Sequence, residues 1–282
     1  MPRSLAIVVA LAFALAAPAL AHPGIGIVMD ARGNVYYTDL EHVWRIAPDG
    51  ARSIAVRNVH THELALDDRG NLYGEHLWYE GEATDRWHHT IWRRTPDGRR
   101  ETILGPRAGF DYSFARDASG AMYWADRERN EIRKRAPDGR ISVVARHRLR
   151  DARWMTARRD GTLFLIDRGD LLRIDPRGRV AVVTRDLPEH AKTQIHVGDR
   201  HNVMGLWTDA AGNVFAAVYG GRVVKRVAPD GRIAVVARSP VGWGPTGGFT
   251  APNGDLWILE SSITNAVRVR RIGRDGATRI WP

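Results

Sequence analysis

Residues 33–50 read GNVYYTDLEHVWRIAPDG: a glycine turn, an alternating apolar run, a second run, and a second glycine turn. The pattern returns five times, in "GNLYGEH…IWRRTPDG", "GAMYWADRERNEIRKRAPDG", "GTLFLIDRGDLLRIDPRG", "GNVFAAVYGGRVVKRVAPDG" and "GDLWILESSITNAVRVRRIGRDG". The opening glycines are Gly33, Gly70, Gly120, Gly161, Gly212 and Gly254, spaced 37 to 51 residues apart. Units of about 40 residues built from short period-two runs of Val, Ile, Tyr and Trp are the mark of a β-propeller. Helical and leucine-rich repeats lack that alternation. Asp-x-x-Gly and Pro-Asp-Gly supply the turns: Pro fixes φ, Asp bonds the backbone beyond it, and Gly accepts positive φ. The fold class expected is therefore all-β, a six-bladed propeller with four antiparallel strands, a to d, in each blade. Blades are placed at about 24–59, 60–108, 109–149, 150–188, 200–241 and 243–282, the last ending on its own outer strand.

The N-terminus is set apart from this repeat. "MPRSLAIVVALAFALAAPALA" has a basic Arg3, an apolar run too short for a bilayer span, and a small-x-small site at Ala19–Ala21. It reads as a secretory signal peptide over residues 1–21, leaving one domain over 22–282. The expected location is periplasmic or secreted, with no membrane span after cleavage. The chain has no Cys, so disulfides and a lipid anchor on Cys are excluded. The net charge of +10 rests almost wholly on Arg, with Lys only at 134, 192 and 225. In an exported monomer this does not point to nucleic acid. It favours a small-molecule ligand, with an anionic group as one candidate.

The segment "P-x-x-G-I-x-x-D-x-x-G-N-x-Y-x-x-D" (23–39), with "I-x-x-x-x-P-D-G" in the later units, resembles the NHL-repeat and SMP-30/gluconolactonase group of six-bladed propellers. The resemblance runs from Gly24 to Pro282 and implies the fold; these folds host lactonases, esterases, lyases and binding platforms alike. It also implies that the position eight residues before each glycine faces the channel, and period two adds the position ten before. Those positions are Pro23 and Ile25, His60 and His62, Phe110 and Tyr112, Asp151 and Arg153, Asn202 and Met204, and Gly244 and Thr246. Gluconolactonase-type members hold a divalent ion there with Glu and Asn or Asp. This ring instead has Ile25, Tyr112, Arg153, Met204 and Thr246, so that ligand set does not carry over. The peptidylglycine amidating lyase uses three His for zinc beside Tyr and Arg, and His62, Tyr112 and Arg153 match it in kind.

Strand parity puts the a–b and c–d turns on one face, and the b–c loops and blade-to-blade connections on the other. The second face carries both long insertions, "WYEGEATDRWHH" in the b–c loop of blade 2 and "DLPEHAKTQIHVGDRHN" leading into blade 5. All eleven histidines fall on or beside it, and long loops on a rigid scaffold are where function concentrates. "HTHE", residues 60–63, is the sharpest signal: alternation sends His60 and His62 to one side, as two imidazoles on a single transition ion require. The expected site has His62 as acid/base, Tyr112 as proton donor or acceptor, and Arg153 holding an anionic group. Glu63, His76, Trp78, His88, Asp151, Asn202 and Thr246 would bind ligand. His60, His62 and His201 would hold one divalent, zinc-like ion. The activity expected is of hydrolase or lyase type, the alternative being a non-catalytic propeller that binds a protein or carbohydrate through the same face.

Overall fold

A computed structural model describes residues 23–81, 83–84, 87–108, 114–188 and 202–282. The signal-peptide reading of residues 1–21 lies outside them. So do Tyr112, His201 and most of the insertion leading into blade 5.

The described residues form six sheets, each of four antiparallel strands taken in chain order. They cover residues 27–56, 64–108, 114–146, 152–184, 203–238 and 243–281, so the six expected blades are the six observed. The turn chemistry is the one the repeat demands. Each opening glycine has φ between +74° and +86°, a region an L side chain enters only with strain. In blade 1 the Asp30 carboxylate accepts from the Arg32 and Asn34 amides, both at 2.9 Å, and Asp67 does the same in blade 2.

A four-stranded blade cannot bury its own faces, and every seam between neighbours has its own apolar cluster. The closing seam packs Ile27, Tyr37 and Ile46 of blade 1 against Trp257, Leu259 and Trp281 of blade 6. The Trp281 indole also donates to Gly50 O at 3.1 Å. The ring thus closes by side-chain packing, and blade 6 keeps four strands of its own.

Blade 2 departs from the sequence expectation. The insertion read as a b–c loop continues the strands instead. The second strand runs Leu72–Tyr79, the third Trp87–Arg94, and they pair as far as Tyr79↔Trp87. The fourth follows, with His88↔Ala108. Aromatic and apolar residues in "HLWY" and "WHHTIW" suit a ladder.

The innermost strands surround a central cavity of about 240 Å³ whose walls include Ile25, Glu63, Arg116, Met155, Leu206 and Phe249, one from each blade. Ile25 and Leu206 also pack on a cluster of Trp154, Met204 and Tyr219. Of the expected ring positions, Ile25 lines the cavity and Met204 is fully buried within this cluster.

Candidate functional site

The site grows from the entry to blade 2. The innermost strand begins only at Leu64, so His60 and His62 sit in the connection before it and strand alternation does not orient them. Bonds to the second strand do. The Glu75 carboxylate, 3% exposed, accepts from the His62 amide at 3.1 Å and faces the His62 Nδ1 at 3.2 Å. The His60 amide donates to His76 Nδ1 at 3.0 Å, and the Leu77 amide donates to His60 O at 3.1 Å. Between them the Thr61 hydroxyl donates to Glu75 O. The Trp92 indole donates to that same carbonyl at 2.7 Å. Gly74 leaves room for the Trp92 ring, which would overlap a Cβ at position 74. A turn without regular secondary structure is thereby fixed at both histidines.

The two rings end edge to face, with centroids 4.8 Å apart. Burial first, then the charges of His62 and His76, push His60 down to about 4. The ring is then neutral at neutral pH. His76 is also lowered, by burial and then by the Arg100 charge. Neutral imidazoles keep a ring nitrogen lone pair for a proton or a metal. A carboxylate can only accept, so the His62 Nδ1 carries the proton, and in the neutral ring Nε2 keeps the lone pair. This is the arrangement by which a carboxylate orients a working histidine.

A column of rings leads outward from this pair along the extended hairpin. His76 stacks on Trp78 with centroids 5.7 Å apart, and Trp78 stacks on His88 at 5.4 Å. His88 Nε2 meets Glu80 Oε2 at 3.1 Å. Five of the expected residues, His60, His62, His76, Trp78 and His88, thus form one continuous group.

Elsewhere the expected residues are differently placed. Asp151 and Arg153 form a separate pair on blade 4: Arg153 Nε lies 3.0 Å from Asp151 Oδ1, and Arg127 Nη1 lies 3.2 Å from the same oxygen. Asp167 holds this entry by accepting from the Asp151 amide at 2.6 Å. Glu63 is buried and lines the central cavity. Thr246 is fully buried, its hydroxyl 3.4 Å from Leu259 O. Asn202 is buried with its Oδ1 unbonded. Among the described residues no three His, Asp or Glu side chains stand together as a metal site; the expected third ligand, His201, lies outside them, as does Tyr112.

Glu75 is the residue missed as a site member. It stands one position before His76 in the aromatic insertion, but nothing in its spacing pairs it with His62. That pairing depends on the irregular backbone before Leu64.

No protein-family model matches the sequence, and no curated protein matches it. Solved structures do match in fold. Virginiamycin B lyase from Staphylococcus aureus shares 16% identity over 93% of this chain and 84% of its own, with a TM-score of 0.56. A gluconolactonase from Xanthomonas campestris shares 15% over 87% and 85%, at 0.57. An auxiliary nutrient binding protein from Bacteroides ovatus shares 13% over 93% and 70%, at 0.61. These likenesses establish the six-bladed propeller shared with gluconolactonase-like and lyase structures.

Proposed function

We propose that the chain is an exported small-molecule enzyme of hydrolase or lyase type, acting on the face where the blade 2 hairpin projects. The buried Glu75 carboxylate on His62 Nδ1 carries this reading. It fixes one tautomer and orientation of an imidazole whose other nitrogen can then take or give a proton. Arg153 would hold an anionic substrate group, because its pairing with Asp151 is shared with Arg127. Tyr112 is assigned as the second proton-transfer group on the sequence reading alone. The column His76–Trp78–His88 would form the substrate wall, its stacked rings suited to a planar or cyclic body.

The donor set also suits a divalent transition metal of zinc type at two positions. A carboxylate behind one ligating imidazole and a second neutral imidazole beside it are common features of such sites. His60 and His62, with His201, would hold the ion, which would supply Lewis-acid polarisation.

Assays on aliphatic lactones and 4-nitrophenyl esters, run with metal-analysed protein, test the reading. His62→Ala should lower kcat by about 100-fold or more with KM little changed. Glu75→Gln should cost about 10-fold through positioning alone. Activity that survives His62→Ala would refute the assignment. Sugar binding with no turnover would instead favour the binding platform, which the half-buried ring column also supports.

A further inference from the structure

Three buried polar side chains meet where blades 4 and 5 approach the central cavity. None of them makes a side-chain hydrogen bond among the described residues. Trp154, in the innermost strand of blade 4, Ala152–Ala157, is 6% exposed, and its indole Nε1 is buried without an acceptor. Asn202 enters the innermost strand of blade 5, Val203–Thr208; it is 2% exposed, and its Oδ1 is buried without a donor. Tyr219 follows the second strand of blade 5, Val214–Val218, and is 7% exposed. Burial alone raises its hydroxyl above the usual phenol range, and no neighbouring charge contributes.

The fold brings the three together. Trp154 and Tyr219 share an apolar cluster with Met204, and Ile25 and Leu206, which line the cavity, pack against it. One step beyond the Val203↔Val218 pair, Asn202 lies opposite Tyr219, its carbonyl accepting from the Gly220 amide at 3.4 Å. Opposed residues of an antiparallel ladder share a face. The Tyr219 ring rests on the bare backbone of Gly244 in blade 6, where a Cβ would stand 2.5 Å from its Cδ2.

Elsewhere the fold satisfies such groups. Tyr36, Tyr73 and Tyr123 each donate to a turn aspartate, at 3.2, 2.9 and 2.8 Å, and Tyr37 accepts from Arg52 at 3.4 Å. The Trp92 and Trp281 indoles reach backbone carbonyls. An unmatched buried donor and an unmatched buried acceptor each cost stability. Side by side they describe the ligand that would satisfy them. The indole N–H only donates, the carboxamide Oδ1 only accepts, and the phenol does either. With no charge acting on Tyr219, the complement is neutral. A cis amide, as in a lactam, presents both groups on one edge: its C=O takes the Trp154 N–H, and its N–H gives to Asn202 Oδ1. A lactone of the same shape has no proton for Asn202. The cavity of about 240 Å³ beyond Ile25 and Leu206 has room for the rest of the molecule, and its wall at Glu63 adjoins His62. Solvent reaches neither Trp154 Nε1 nor Asn202 Oδ1, so entry needs a turn of Met204 or Tyr219. Met is unbranched and adaptable, and no hydrogen bond ties the Tyr219 ring.

We propose that Trp154, Asn202 and Tyr219 form a subsite for the amide edge of a neutral lactam whose apolar body lies in the central cavity. As a substrate class this rests on the enzyme reading proposed for His62; as a binding site it does not require turnover.

Titration of nitrogen-15-labelled protein with ε-caprolactam, and with ε-caprolactone as the ester of the same shape, provides the test. His62→Ala protein is used beside the wild type, so that hydrolysis consumes neither ligand. The Trp154 indole N–H resonance, identified by its loss in Trp154→Phe, should move on addition of the lactam. The lactam should bind at least about tenfold more tightly than the lactone. Tyr219→Phe should keep the wild-type melting temperature and weaken both ligands alike, whereas Asn202→Leu should abolish the preference for lactam. Equal affinity for the two ligands, or a lactam that leaves the Trp154 resonance in place, overturns the proposal. So does a preference that survives Asn202→Leu. Should the expected pattern appear in His62→Ala while the wild type turns over no ester or lactone, the subsite stands and the hydrolase reading falls.

Discussion

Gly247→Ala should cost the protein more than about 3 kcal/mol, or prevent folding, although it adds one methyl group to a residue in a strand. A Cβ at 247 would collide with the carbonyl oxygen of Ile25 and stand 2.9 Å from its carbon. Those atoms belong to backbone, which cannot rotate aside. Nor can Ile25 retreat, because its amide and that of Gly26 both donate to His62 O at 2.8 Å. The contact lies where blade 6 meets blade 1, so the residue guards ring closure. Any shift it forces passes through one shared acceptor to the histidine pair. Gly105→Ala is the control, since a Cβ there meets nothing within 4 Å; it should be neutral within about 0.5 kcal/mol. Denaturant melts of the two variants decide the matter. Equal stabilities would mean that the blades can slide apart at no cost, contrary to this account.

Glu260→Gln should destabilise by about 3–5 kcal/mol, because removing one member of a buried ion group strands the others. Glu260 is fully buried, and its two guanidinium partners are only 13% and 11% exposed in their side chains. The Arg268 guanidinium also lies 3.9 Å from the Trp243 ring centroid. At roughly 2 °C per kcal/mol for a chain of this size, the melting temperature should fall by about 6–10 °C. The triple variant Glu260→Leu/Arg268→Met/Arg270→Met separates charge from shape. An apolar replacement of a whole buried ion group is often neutral or better, so it should recover most of the loss. A triple variant as unstable as the single one would show that packing, not uncompensated charge, sets the cost.

The architecture was legible because it is written locally and repeatedly. Gly33 and its five counterparts need positive φ whatever surrounds them, and the alternation of "NVYYTD" declares a strand without reference to its neighbours. Of the expected ring positions, Ile25 lines the central cavity, whereas Met204 is fully buried in an apolar cluster with Trp154 and Tyr219. The site was less legible because its contacts are made across elements. His60 and His62 were expected to come together by alternation along a strand. They do come together, but through Glu75 and His76 on the next strand, in backbone that precedes any ladder. Glu75 was therefore invisible as a partner: no spacing rule reaches across an irregular turn. The blade 2 insertion was misread for a related reason. Length suggested a loop, whereas pairing from Leu77↔His89 to Tyr79↔Trp87 depends on two distant segments having strand-forming residues in register.

The central claim is that Glu75 holds His62 with its proton on Nδ1 and its Nε2 open for chemistry. A long-range proton–nitrogen correlation spectrum of the histidine rings, recorded where His62 is neutral, reads this directly. The account predicts the Nδ1–H tautomer for His62 in the wild type and its loss in Glu75→Leu. An Nε2–H tautomer in the wild type, or a tautomer indifferent to Glu75→Leu, would contradict it.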